Sequence, residues 1–353
     1  MLTAALYARA MQPLDVEVAV VGAGVMGLAA ARALTQAGRD VLVLEQFELD
    51  HTRGSSHGSS RIFRLSYPAV EWVRLAQAAL PLWRELEAES GEVLLELHGS
   101  IDLGAWEANR DALASCGATF DVLDRGEAER RYELRLAPGE RALFQPEGGI
   151  ALADKTLLAL AGSARQHGAR IREQSRVIGV RNNGIAVEIE LEGELLRAGA
   201  VVVSAGAWAP RLVALDARPT RETTAYFACE RPLPSLVDGT FEAQIYGYGL
   251  AAPGVGAKAG LHRSGPRIDP DEPGDPDEAT AVAAGEWLSG RLPSISPEPL
   301  RIETCLYTNL AGDRFTLERR GHVVVGSACS GHGFKFAPLI GKRLAELATE
   351  VLS

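Results

Sequence analysis

A glycine-rich turn between a short apolar segment and a helical one constrains the fold of this chain more than any other feature. Residues 16–21 form the continuous apolar run that is typical of a buried parallel strand. The pattern Gly-x-Gly-x-x-Gly follows at once over 22–27, and a helical stretch covers Leu28 to Gln36. A second apolar strand covers 41–44. This order predicts a complete βαβ unit of the kind that binds a dinucleotide.

The three glycines of the turn have separate tasks. Gly22 permits the tight bend, Gly24 lets a pyrophosphate approach the backbone, and Gly27 lets the helix pack closely on the strand. The helix N-terminus presents unpaired N–H groups and a partial positive charge to the phosphates. Glu45 ends the second strand, 18 residues after Gly27, where a carboxylate can accept hydrogen bonds from ribose hydroxyls. This unit alone does not distinguish NAD from FAD.

Composition and charge exclude several classes of partner. The formal net charge of -10 argues against nucleic acid, and no apolar run approaches the ~18 residues of a membrane span. The four cysteines lack paired or metal-ligand spacing, which suits a reducing cytoplasm. No cluster of histidine, cysteine and aspartate predicts a metal site. We therefore expect a cytoplasmic globular protein without metal, nucleic acid or membrane as a partner.

Four further segments carry more specific patterns. A loop rich in glycine, serine and histidine covers 51–60 and continues to Arg64, and the turn Ala-Gly-Ala-Trp at 205–208 closes another apolar strand. Cys305 begins the motif Cys-Leu-Tyr-Thr, and Ser-Gly-His-Gly-Phe-Lys-Phe covers 330–336. Together with the glycine turn, these segments resemble the monomeric sarcosine oxidase family, whose members are flavoenzymes that oxidise N-substituted amino acids. The similarity covers residues 16–67, 145–210, 242–265 and 301–350.

The resemblance implies a mixed α/β fold. A GxGxxG Rossmann-like FAD-binding domain would be interleaved with an antiparallel-sheet substrate domain. Residues 15–80, 145–210 and 300–353 would form the first domain, and residues 81–144 and 211–299 the second. Residues 1–14 would be a disordered N-terminal extension. The segment 268–278, with six acidic residues and three prolines, is expected to be a solvated loop.

The cofactor implied by the resemblance is FAD, bound covalently through a thioether from Cys305 to the flavin 8α carbon. An isolated buried cysteine usually only packs, whereas a thiolate can attack an electron-poor flavin methyl position. The residues assigned to FAD binding in this way are Gly22, Gly24, Val25, Met26, Gly27, Glu45, Gln46, Ser55, His57, Arg61, Val177, Ala205, Gly206, Trp208, Cys305, Gly331, Gly333 and Lys335.

The resemblance also assigns groups that would act on an amino-acid substrate. Arg64 and Lys335 match the pair that holds the substrate carboxylate, a task for which a guanidinium fork is well suited. Lys258 matches the lysine that assists reduction of O2, since a cation there stabilises negative charge developing on oxygen. The other catalytic residues matched are Arg61 and His57 beside the flavin, Tyr246 and His262 on the substrate side, and Tyr307, which shares a strand face with Cys305.

The resemblance therefore implies an FAD-dependent amine oxidase that acts as a monomer. A secondary α-amino acid, such as sarcosine, would be oxidised to an imine while O2 is reduced to H2O2, and the imine would hydrolyse to an amino acid and an aldehyde. The stretch between Tyr246 and Lys258 is one residue longer than is typical of the family. This difference leaves the substrate open, so an oxidase of pipecolate, proline-like or fructosyl amino acids is one alternative. A flavoprotein dehydrogenase and a non-catalytic flavin-binding subunit are two others.

Overall fold

A computed structural model of the chain describes residues 13–231, 233–240 and 246–352. The first twelve residues of the expected N-terminal extension lie outside this range. The helices are α1 Val25–Gln36, α2 Val70–Ser90, α3 Glu107–Ser115, α4 Arg125–Tyr132, α5 Ala153–Gln166, α6 Ala209–Leu212, α7 Glu278–Arg291 and α8 Ala337–Val351. Short 3-10 turns cover Gly206–Trp208, Ala311–Asp313 and Phe334–Phe336.

The described strands are numbered in chain order. They are β1 Val16–Val21, β2 Val41–Leu44, β3 Arg61–Phe63, β4 Leu95–Glu96, β5 Ser100–Leu103, β6 Asp121–Leu123, β7 Ala142–Gln145, β8 Gly149–Ala151, β9 Arg170–Arg172, β10 Val177–Asn182, β11 Val187–Leu191, β12 Glu194–Val203, β13 Ala217–Ala228, β14 Ser235–Asp238, β15 Tyr246–Ala252, β16 Gly256–His262, β17 Arg301–Leu310, β18 Thr316–Arg320 and β19 Val323–Ser327.

The first sheet is built around the βαβ unit. It has eight strands in the order β10-β11-β12-β1-β2-β9, with β19 also paired to β12 and β18 to β19. The central pairs, β1 with β12 and β1 with β2, are parallel, and β1 and β2 are almost wholly buried, as their unbroken apolar sequences predict. Helix α8 packs against α1 so closely that a side chain on Gly341 would strike Ala29. The predicted strand–turn–helix–strand unit is confirmed at 16–21, 25–36 and 41–44.

The second sheet is mostly antiparallel. Its eight strands run in the order β17-β13-β16-β15-β14-β5-β7-β6, and all neighbouring pairs except β14 with β5 are antiparallel. A third sheet of three short strands, β3-β8-β4, contains Arg61. The expected mixed α/β fold is confirmed, while the division into domains by residue number stays a prediction.

Helix boundaries agree with the sequence pattern to within a few residues. The apolar periodicity of the sequence also predicts helices over 72–89, 157–167 and 339–351. In the structure these helices run over 70–90, 153–166 and 337–351. Helix α2 contains Pro81 and ends where Gly91 adopts a left-handed conformation (φ 72°), the usual role of glycine after a helix. Within the described ranges, no helix is long and apolar enough to cross a membrane.

Candidate active site

One long cleft runs from the ends of β1 and β2 to the face of the second sheet. Every predicted site residue except Gly27 lines it. Gly27 lies just beneath, where any side chain would collide with the Gly22 carbonyl and the Ser204 hydroxyl. The sequence-predicted residues, spread over more than 300 positions, are thus brought to one place. No group of three or more histidine, cysteine, aspartate or glutamate side chains in the described part of the chain could hold a metal ion.

The nucleotide end of the cleft is shaped by the glycine turn and Glu45. Gly22 has φ 99°, and a Cβ there would lie 2.8 Å from the Ser204 carbonyl, so only glycine fits. Glu45 is 4% exposed and accepts hydrogen bonds from the backbone N–H of Ala23 (2.7 Å) and of Phe47 (3.0 Å). The buried carboxylate is therefore held at the end of β2, where a ribose would meet it.

The acidic segment 268–278 has more contacts than a solvated loop requires. It is irregular up to Asp277, as predicted, but Asp271 accepts hydrogen bonds from the Trp208 indole (2.7 Å) and from Arg176 (2.6 Å) and pairs with Arg211. All three partners of Asp271 line the cleft. Partial burial would raise the pKa of Asp271, but these hydrogen bonds outweigh burial and lower it to about 2. Asp271 therefore holds this segment against three side chains that line the cleft.

Cys305 lies in the middle of the cleft beside a guanidinium group. Its thiol is buried on β17, and the Arg61 Nη2 is 3.7 Å from the sulfur. Arg61 also donates to the carbonyls of Ser55 (2.9 Å) and His57 (2.6 Å), which fixes the guanidinium in place. The site therefore holds a fixed cation next to the Cys305 thiol.

Lys258 is a buried cation on the wall of the second sheet. Lys258 is only 4% exposed, and its Nζ is 3.5 Å from the Ser60 carbonyl. Burial, with the nearby charge of Arg61, lowers the Lys258 pKa from 10.5 to about 7. This lysine therefore changes charge near neutral pH, unlike an ordinary surface lysine.

Two cations converge on the ring of Tyr67 at the far end of the cleft. The Arg64 Cζ is 4.7 Å and the Lys335 Nζ 5.5 Å from the ring centroid, and Lys335 donates to the Tyr67 hydroxyl (2.9 Å) and to the His332 carbonyl (2.7 Å). Burial and the charge of Arg64 lower the Lys335 pKa well below its usual range. Arg64 itself donates to Asp102 at 2.9 Å.

Three aromatic side chains complete this end of the cleft. The rings of Tyr246 and His262 stack with centroids 4.2 Å apart, and His262 Nδ1 is 3.3 Å from the Tyr307 hydroxyl. Burial, with the charge of Arg263, lowers the His262 pKa to about 2, so this imidazole is neutral. Gly331 (φ 73°) lies against them, and a side chain there would clash with Tyr307 and His262.

A buried nitrogen without a partner indicates that the cleft holds a polar group. Nε2 of His57 lacks a hydrogen-bond partner although the residue is only 9% exposed, and it lines the cleft. Burial and the charges of Arg61 and Lys258 lower the His57 pKa to about 3, so the ring is neutral. The glycine cradle, Glu45 and this unpaired nitrogen, all on the cleft, together fit a dinucleotide.

Comparisons with known proteins agree with this geometry. Residues 17–347 match the family model described as FAD dependent oxidoreductase. The chain belongs to this family. Human peroxisomal sarcosine oxidase is 32% identical over 94% of this chain and 92% of its own length. Monomeric sarcosine oxidase from Bacillus sp. (strain B-0618) is 29% identical over 94% and 92%.

A solved structure supports the same assignment. The open form of NikD, described as an unusual amino acid oxidase essential for nikkomycin biosynthesis, superposes with a TM-score of 0.86 at 27% identity, covering 96% of this chain and 95% of that one. The chain is therefore an FAD-dependent enzyme. A small-molecule substrate is consistent with this fold.

Several residues at the site of this oxidoreductase are absent from the sequence-based prediction. Tyr248 lines the cleft two residues after Tyr246, so the alternation of β15 could have indicated it. Ser56 accepts a hydrogen bond from the N–H of Val25 (3.1 Å) at the start of α1. No local pattern indicates Asp102, since its contact with Arg64 depends on the pairing of distant strands.

Proposed function

We propose that this FAD-dependent oxidoreductase oxidises a secondary α-amino acid, sarcosine or a similar N-methyl amino acid, and reduces O2 to H2O2. For sarcosine, the amine, O2 and water would yield glycine, formaldehyde and H2O2, because the imine formed first is hydrolysed. Bound FAD supplies the two-electron acceptor, which an enzyme side chain cannot provide. The names of the curated relatives, sarcosine oxidases of about 30% identity, support this substrate class.

The observation that carries the proposal is the convergence of Arg64 and Lys335 on Tyr67. Two buried basic side chains, 4.7 and 5.5 Å from one ring centroid, form a site for an anion, whose charge would favour the protonated form of Lys335. An α-carboxylate can accept hydrogen bonds from both, and charge-assisted bonds of this kind contribute about 1.5–3 kcal/mol each. Since Nη1 of Arg64 already donates to Asp102, the remaining N–H groups of Arg64 would meet the substrate.

The aromatic wall would orient the amine without changing its charge. His262 is neutral, and burial also raises the pKa values of Tyr246 and Tyr307, so all three side chains are uncharged at neutral pH. An uncharged wall favours the neutral amine over its ammonium form. The neutral amine is the form that can lose a hydride equivalent from the adjacent carbon.

Cys305 would carry the flavin covalently. In the net reaction, the thiol S–H bond and one C–H bond of the flavin 8α methyl are broken and an S–C bond forms. O2 would accept the two electrons and two protons released, which gives H2O2. The Arg61 guanidinium lies 3.7 Å from the sulfur that would form the new bond.

Lys258 would assist the reduction of O2. Its buried ammonium provides positive charge where negative charge develops on oxygen, and it is fixed between the Ser60 carbonyl and the Tyr226 ring. A flavoprotein dehydrogenase would have no need for this cation. The residue roles, monomeric state and cytoplasmic location stay predictions.

The deciding experiment measures H2O2 release from a panel of amines. The panel contains sarcosine, other N-methyl amino acids, pipecolate, proline and a fructosyl amino acid, each compared with its carboxamide. We expect H2O2 from at least one secondary amino acid and a strong preference for the acid over the amide. Equal oxidation of acid and amide would disprove the carboxylate clamp, the proposed carboxylate site formed by Arg64 and Lys335. Turnover only with an artificial electron acceptor would instead identify a dehydrogenase.

A further inference from the structure

The pairing of three strands places Lys258 next to a route to the protein surface. In the order β17-β13-β16, Arg301 is opposite Tyr226, and Tyr226 is opposite Lys258. Residues directly opposite on neighbouring strands point to the same face, with Cβ atoms about 5 Å apart. The three side chains therefore form a row across the sheet, with the buried lysine at one end and an exposed arginine at the other.

A carboxylate continues this row toward solvent. The Tyr226 hydroxyl donates to Glu303 Oε2 at 2.9 Å, and Arg301 Nε is 3.0 Å from Glu303 Oε1. The exposed fraction of the side chain is 53% for Arg301 and 26% for Glu303, whereas Tyr226 is fully buried. A buried phenol is thus hydrogen-bonded to an acid that reaches solvent.

A gap at Gly58 joins the phenol to the lysine. A Cβ on Gly58 would lie 3.5 Å from the Tyr226 hydroxyl, 3.6 Å from Lys258 Nζ and 3.4 Å from Arg61 Nη1. All three polar groups therefore border the small space that the missing side chain leaves. Gly58 has φ 100°, a backbone conformation that keeps the position a glycine. A water molecule in that space could hydrogen-bond to both Tyr226 and Lys258.

We propose that Glu303 and Tyr226 form a proton relay that carries protons between solvent and Lys258 during the reduction of O2. This inference rests on the proposed oxidase function. Reducing O2 to H2O2 takes two electrons and two protons. One proton travels with the hydride equivalent from the substrate carbon. The other is lost from the substrate nitrogen, so an equivalent proton has to reach the oxygen through the protein.

The groups around the relay suit proton transfer. Burial, followed by the charge of Glu303, raises the pKa of Tyr226, so the phenol keeps its proton and can donate it. The charges that act on Lys258 are those of Arg61, Cys305, Glu303 and Asp154, of which the last three raise its pKa. Tyr226 is in turn influenced by the charge of Arg61, and Arg301 packs 4.3 Å from its ring centroid.

The kinetic test separates flavin reduction from reoxidation. Glu303→Gln and Tyr226→Phe enzymes are reduced by substrate without oxygen and then mixed with O2 in a stopped-flow instrument, in H2O and in D2O. We expect reoxidation to slow by about a hundredfold, the lower end of general acid–base effects, with a larger solvent isotope effect. Anaerobic reduction should keep its wild-type rate. Glu298→Gln, which removes an exposed carboxylate shortly before the same strand, is the matched control.

A second measurement does not depend on activity. The chain has only four lysines, Lys155, Lys258, Lys335 and Lys342, so the ¹⁵Nζ signal of Lys258 can be followed by NMR and assigned with Lys258→Met. Glu303→Gln should lower the titration midpoint of Lys258, because a negative charge that favours its ammonium form is removed. Glu298→Gln should leave the midpoint in place.

The outcomes distinguish the relay from the oxidase proposal. Wild-type reoxidation rates and isotope effects in both relay variants, together with an unchanged Lys258 midpoint, would overturn the relay while leaving the oxidase intact. Absence of H2O2 from the wild-type enzyme with every substrate would overturn the oxidase function, and the relay with it, whatever the midpoint of Lys258.

Discussion

Replacing Lys258 with methionine should stabilise the folded protein, and the gain should disappear at high pH. Methionine fills a similar volume without a charge that has to be buried. Burial and the neighbouring Arg61 lower the Lys258 pKa from 10.5 to about 7. This difference corresponds to about 5 kcal/mol of lost stability when the lysine is protonated in both the folded and unfolded states.

The direction of the pH dependence follows from proton binding. Between pH 7 and pH 10.5 the unfolded chain keeps the Lys258 proton while the folded protein has released it, so wild-type stability rises with pH. The advantage of Lys258→Met should therefore be largest at pH 6, up to about 5 kcal/mol, and fall below about 1 kcal/mol at pH 10. Lys258→Met should therefore gain stability while losing the proposed reaction with O2.

Urea unfolding followed by tryptophan fluorescence provides the assay. Both proteins are loaded equally with FAD and unfolded at pH 6, 8 and 10, and free energies are compared rather than midpoints alone. Lys342→Met, which replaces an exposed lysine on α8, should change stability little at any pH. A Lys258→Met advantage of the same size at pH 6 and pH 10 would refute the reasoning, because it would show that Lys258 is not a buried titrating cation.

Further predictions concern the cofactor bond and the carboxylate site. Cys305→Ala should release all FAD on acid precipitation while Cys329→Ala retains it; free FAD from the fully loaded wild-type enzyme would exclude the covalent bond. Arg64→Ala should weaken binding of a simple carboxylate inhibitor about ten- to hundredfold and abolish the preference for acids over amides; an unchanged preference would contradict the clamp. Lys335 should take up a proton when a carboxylate binds, because the negative charge of the ligand raises the lowered pKa of Lys335. Calorimetry in buffers of different ionisation enthalpy measures this proton uptake, and the Lys335→Met enzyme should not show it. Asp102→Asn should destabilise the protein by about 3–5 kcal/mol, since Arg64 is left buried without its partner, and an inhibitor should then raise the melting temperature more than in wild type; an equal rise would show that Asp102 does not compete for Arg64.

The sequence alone determined the parts of this protein that depend on local backbone requirements. Gly22 indicates the nucleotide turn because a side chain there would strike the Ser204 carbonyl, and a Cβ on Gly24 would lie 3.3 Å from the Ser56 hydroxyl. The period of two along a strand correctly puts Cys305 and Tyr307 on one face, and both line the cleft. The resemblance added the cations, which no local rule requires at those positions.

Only the tertiary structure decided which partners these residues meet. Arg64 pairs with Asp102, and Tyr226 lies between Arg301 and Lys258, because the register of strands from distant parts of the chain puts them opposite one another. The sequence of the acidic segment predicts a solvated loop, yet Asp271 accepts a hydrogen bond from Trp208, which lines the cleft. Such pairings follow from the packing of whole sheets, in which a shift of one residue would turn each side chain to the other face.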